Sequence, residues 1–67
     1  MDIRQKLARN LRLLRAEKQW SQETLSFEAE LHRTYISDLE RGARNPSVTI
    51  IEKLAKALNV TAGRLLA

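Results

Sequence analysis

Cysteine is absent from the sequence, which removes disulfides, thiolate metal sites and a cysteine nucleophile together. A secreted scaffold stapled by disulfides is thereby excluded. Histidine occurs once, at His32, so no second imidazole exists to build a metal site or to support catalysis. One proline (Pro46) and two glycines (Gly42 and Gly63) are the only breakers, and no repeat or linker divides the chain. No apolar run approaches the ~18–20 residues that cross a membrane. The start, Met1-Asp2-Ile3-Arg4, lacks the apolar stretch of a secretory signal, so a cytoplasmic protein with no membrane partner is expected. Neither a carboxylate pair in a cleft, nor a nucleophile with its base, nor a phosphate loop is visible. No enzyme activity and no cofactor is expected.

The 67 residues allow one domain, 1–67, with a core thin enough that a partner would help to stabilise it. Twelve basic and eight acidic residues give a net charge of +4, which suits a nucleic-acid partner without demanding one. The charge is unevenly placed. Residues 1–20 carry Arg4, Lys6, Arg9, Arg12, Arg15 and Lys18, whereas residues 21–40 are acidic apart from Arg33. Residues 41–67 return to basic, through Arg41, Arg44, Lys53, Lys56 and Arg64.

Apolar residues recur at helical spacing throughout. Ile3, Leu7, Leu11 and Leu14 define a first helix over about 2–18, although Gln19 sits where glycine would end it more comfortably. Ser21 caps a second helix, 22–29, with Leu25 and Ala29 inward. After a break at 30–32, a third helix spans 33–41, with Ile36 and Leu39 inward and Gly42 as its left-handed stop. Ser47 caps a fourth helix, 48–58, with Ile50, Ile51, Leu54 and Leu58 inward, and Asn59 closes it. Thr61 caps a short fifth helix ending at Leu65 and Leu66. No segment alternates with the period of a strand, so the fold class is all-α.

Two short helices joined by about three residues cross steeply, as in a helix-turn-helix. Leu25, Ala29, Leu31, Ile36 and Leu39 pack that crossing, and Arg33, Thr34, Ser37, Asp38 and Arg41 fall on the opposite face of the third helix. A major groove accepts a polar helix face of this kind.

The strings Ser21-Gln22-Glu23-x-Leu25, Arg33-Thr34-Tyr35-Ile36-Ser37-x-Leu39-Glu40-Arg41-Gly42 and Arg44-Asn45-Pro46-Ser47 resemble the Cro/cI-type (XRE) transcriptional regulators. Leu54-Ala55-Lys56-Ala57-Leu58-x-Val60 extends the resemblance, which covers essentially the whole chain. Within that family the motif is most similar to the controller proteins of restriction–modification systems. The resemblance implies a compact five-helix, lambda-repressor-like domain that regulates transcription on double-stranded DNA. It implies phosphate contact by Gln22, base contact by Arg33 and Thr34, an extended surface from Tyr35, Ser37 and Asp38, and backbone contact by Arg44 and Asn45. Arg33 suits guanine O6 and N7. Asp38 stays open between accepting from cytosine N4 and repelling phosphate. Arg15 and Glu40 are expected as a partly buried ion pair. Val60, Leu65 and Leu66 are expected at a two-fold homodimer interface, against the plainer possibility that they cover the first and fourth helices.

Two positions depart from the family. Glu30 stands where glycine is usual and would need positive φ, and His32 stands where Ser, Thr or Asp caps the third helix. Phe27 is expected to be exposed or tucked under a loop, and Trp20 to fill the corner between the first two helices. The basic face of the first helix reads as mainly solvated. An alternative function, a protein-interaction module such as an antitoxin, draws on the acidic central segment.

Overall fold

Five helices follow in order, all but the third beginning at a small polar or acidic residue that caps it: α1 (Ile3–Glu17), α2 (Gln22–Ala29), α3 (Arg33–Glu40), α4 (Val48–Leu58) and α5 (Ala62–Leu66). The computed structural model describes residues 2–67, and Met1, counted in the expected domain, lies outside them. No strand occurs among the described residues. At four of the five starts a side-chain oxygen accepts from the backbone N–H three residues on. The pairs are Asp2–Gln5 (3.0 Å), Ser21–Thr24 (3.0 Å), Ser47–Ile50 (3.2 Å) and Thr61–Arg64 (3.1 Å). Each such cap contributes about 1 kcal/mol. His32, which begins α3 where the family keeps Ser, Thr or Asp, makes no side-chain capping bond.

The four longer helices also end alike. At each end the N–H of a left-handed residue reaches back three residues, and the next N–H reaches back five, which is the Schellman arrangement. The left-handed positions are Gln19 (φ 58), Glu30 (φ 58), Gly42 (φ 69) and Asn59 (φ 58). Only Gly42 adopts that conformation without a Cβ penalty; an L-residue is disfavoured there by about 1 kcal/mol. An apolar residue follows in each case, and three of these, Trp20, Leu31 and Val60, pack against the core. Their burial fastens each helix end, which offsets the backbone cost just before it.

Leu7, Leu11, Leu14, Leu25, Ala29, Ile36, Leu39, Leu54, Ala55, Leu58 and Leu65 form a single buried cluster drawn from all five helices. Burying each leucine or isoleucine contributes about 1.5–3 kcal/mol. Ile50 and Ile51 are only partly buried against this cluster, and Trp20 is likewise half-buried rather than internal. Ile3 is 46% exposed, because it lies in the first turn of α1, ahead of Leu7 where the packed stripe begins. Leu65 requires a correction. It was expected at a dimer interface, but it is fully buried, since α5 folds back on α1 and turns this side chain into the core. Asn10, the buried polar residue of α1, holds that arrangement: its Nδ2 donates to the carbonyls of Leu65 (2.7 Å) and Ala67 (3.2 Å). Val60 and Leu66 are left partly exposed.

Candidate nucleic-acid interface

α2 and α3 are joined by Glu30, Leu31 and His32, and packing of Leu25, Ala29, Ile36 and Leu39 leaves one face of α3 outward. Arg33 and Thr34 are exposed in its first turn, and Tyr35, Ser37 and Asp38 are half-buried beside them. Arg44 and Asn45 are exposed in the loop that follows. Arg44 folds back onto α3. Its guanidinium lies over the Tyr35 ring at 4.4 Å, and its Nη2 donates to Asp38 Oδ2 at 3.1 Å. Arg41 Nη2 donates to the other oxygen of the same carboxylate. These two arginines hold the Asp38 carboxyl below its ordinary range, with the hydrogen bond from Arg44 the larger cause.

Gln22, at the start of α2, is not a free group awaiting phosphate. Its Nε2 donates to Glu40 Oε1 at 3.0 Å, which leaves one amide hydrogen for another acceptor. Glu40 is buried at the end of α3 and also receives Arg15 through Nε at 2.8 Å and Nη2 at 3.0 Å. Hydrogen bonding to Glu40 raises the Arg15 pKa above its ordinary value. Arg15 also donates to the Trp20 carbonyl at 2.9 Å. One carboxylate therefore fastens α1, α2 and α3 at a single point, and it orients Gln22 from behind.

The basic face of the first helix is largely exposed, as expected, and two of its exposed arginines also hold backbone carbonyls. Arg9 donates to the Ala67 carbonyl at 3.1 Å, and Arg12 donates to the carbonyl of Glu40. With Arg15, these arginines tether α1 to the ends of α5 and α3, where unpaired carbonyls welcome cations. Sequence reasoning missed Arg12 and Asn10. An asparagine among inward leucines was the available signal for Asn10, since a buried amide needs partners. Arg41 was placed on the correct face, but its pairing with Asp38, three residues earlier, went unread. Besides Ile3, three large apolar side chains stand exposed, Leu13 at 50%, Phe27 at 76% and Val48 at 73%, and of these only Phe27 was expected.

This chain has recognisable relatives. A family model described as helix-turn-helix matches residues 11–65. Control protein C.BamHI of Bacillus amyloliquefaciens is 53% identical over 60 residues, covering 88% of this chain and 74% of that protein. The crystal structure of the restriction-modification controller protein C.AhdI from Aeromonas hydrophila superposes with a TM-score of 0.89 at 45% identity, covering 92% of this chain and 94% of that one. The controller protein C.Esp1396I, crystallised as a tetramer with its natural 35 base-pair operator, superposes with a TM-score of 0.85 at 34% identity, covering 91% of this chain and 80% of that one. With this match across most of its length, the chain belongs to the XRE-type helix-turn-helix family.

Proposed function

We propose that this protein is a DNA-binding transcriptional regulator of the controller or repressor kind, which reads a near-palindromic operator as a homodimer. The observation that carries the reading is the outward face of α3, where Arg33 and Thr34 stand exposed in the first turn and Arg44, from the exposed loop that follows, lies against Tyr35 and Asp38. An α-helix with its side chains is about 10–12 Å across, which fits the width of a major groove. Arg33 presents a planar fork for guanine, and Thr34 offers a methyl or a hydroxyl to its neighbour. Gln22, Arg44 and Asn45 contact the backbone and set register. The operator-bound controller relative supports the same partner for this chain.

Size argues for two copies. The longest extent of the chain is 26 Å, whereas successive major grooves on one face of DNA are about 34 Å apart. One copy therefore reads one half-site, and a two-fold pair reads the palindrome. Val60 and Leu66 supply the pairing surface in this proposal, with Leu65 behind them in the core.

The test is selection of binding sites from random duplex DNA, followed by titration of the selected site at increasing salt. A two-fold symmetric site with half-sites about one helical turn apart, bound more weakly as salt rises, is the expected result. A chain with no salt-sensitive affinity for any duplex would overturn the proposal.

A further inference from the structure

Asp38 is the one acid on the outward face of α3, and both of its oxygens are occupied by arginines of that same surface. The arginine side chains are well exposed, Arg41 at 64% and Arg44 at 46%, while the carboxylate between them is only 18% exposed. We infer that Asp38 is an internal competitor for DNA phosphate, occupying Arg41 and Arg44 in the free protein and lowering affinity for every duplex regardless of sequence. The inference rests on the DNA-binding reading and decides between the two roles the sequence left open for this residue.

The sign follows from two effects that act together. A phosphate must displace the carboxylate from the arginines before it can use them. The displaced carboxylate then stays at the interface and repels the phosphate backbone. One effect would oppose them, namely that Asp38 holds the arginines ready. For Arg44 the Tyr35 ring already does this, with the guanidinium stacked 4.4 Å above it independently of the carboxylate. Removing the charge of Asp38 therefore frees Arg44 without unseating it. Phosphates are alike in every sequence, so the gain is general. A carboxylate reading cytosine would act only on the cognate site.

The experiment compares wild type with Asp38→Asn on two labelled probes, a random-sequence duplex and the duplex selected by wild type, at several salt concentrations. Asp38→Asn is expected to bind both probes tighter by a similar factor, about three- to tenfold, the scale of two exposed ion pairs. Its dependence of log affinity on log salt should steepen by about 0.9 for each arginine released onto a phosphate. Asp38→Glu, which keeps the charge, should stay near wild type. In an Arg41→Gln/Arg44→Gln background, Asp38→Asn should no longer steepen the salt dependence and should keep only the gain from lost repulsion, and thermal melts show that each variant is folded. Unchanged affinity and slope would overturn the inference, as would looser binding to both probes, the mark of a positioning role. A loss confined to the selected duplex would overturn it in favour of base reading. Wild type that binds neither probe would instead bring down the DNA-binding reading, and this inference with it.

Discussion

Arg15 and Glu40 face each other across α1 and α3 with two nearly parallel hydrogen bonds, 2.8 and 3.0 Å long, while the carboxylate side chain is only 4% exposed. Such a pair adds little net stability, but losing one member leaves a buried charge unanswered. Arg15→Ala is therefore expected to cost about 3 kcal/mol or more. That is a large share of the roughly 3–10 kcal/mol expected for a chain of this length. Arg15→Met combined with Glu40→Leu should recover much of the loss. Urea melts of the three proteins provide the check, and a mild single variant would show that the charge is not buried in solution.

Arg33→Ala should leave the fold unchanged, because the side chain is exposed. Discrimination at one base position should fall by about 1–3 kcal/mol, with general affinity for random duplex largely kept. Competition gel shifts against single-base variants of the selected site measure this directly. Full retained specificity would remove Arg33 from the readout.

The turn between α2 and α3 can be improved. Glu30 sits at φ 58, so Glu30→Gly should stabilise by about 0.5–1 kcal/mol, whereas Glu30→Ala should not. His32→Ser should supply the missing cap and add a similar amount. For a domain of this size each kcal/mol corresponds to about 4–8 °C in Tm, which calorimetry resolves easily.

Leu65 and its neighbour should behave unlike one another. Leu65→Ala empties a fully buried site and should cost about 2–5 kcal/mol. Leu66→Ala removes a partly exposed side chain and should cost less, while weakening self-association as measured by sedimentation. Equal effects on folding from the two substitutions would contradict the inward placement of Leu65.

Acid should act late through the aspartates. The Asp38 carboxyl is lowered by Arg44 and Arg41, and the Asp2 carboxyl chiefly by the backbone N–H of Gln5. Groups with a depressed folded pKa contribute stability above their unfolded value, here 3.8, and lose it as pH falls through the folded one. Stability should thus be insensitive to these two groups from neutrality down to about pH 4 and decline only below it. Asp38→Asn should flatten the acid limb of a stability–pH curve.

What the sequence revealed was whatever is local. The caps at Ser21, Ser47 and Thr61, the stop at Gly42, and the inward run Leu25, Ile36 and Leu39 all follow from neighbours within a turn or two. The positive φ of Glu30 was implied by the resemblance instead, since the family keeps glycine there. The errors and omissions lie where distant segments meet. Leu65 is buried because α5 lands on α1, and Gln22 is engaged because Glu40, 18 residues away, ends beneath it. Arg12 and Asn10 read as ordinary polar residues until their partners, in α3 and at the far end of the chain, were in place. In the site, the side chains facing outward were legible, and their mutual engagement was not.

The Asn10 contact with Leu65 spans 55 residues, so forming it closes nearly the whole chain into one loop. Closing so long a loop is entropically costly, and little local structure rewards the attempt beforehand. α5 is therefore expected to assemble last and to open first, with its amides exchanging hydrogen ahead of those in α1 to α3. The segment carrying Leu66 would then be the least settled part of an isolated copy. Association of two copies would complete the folding of each, so dilution should loosen the chain end before it disturbs the reading head.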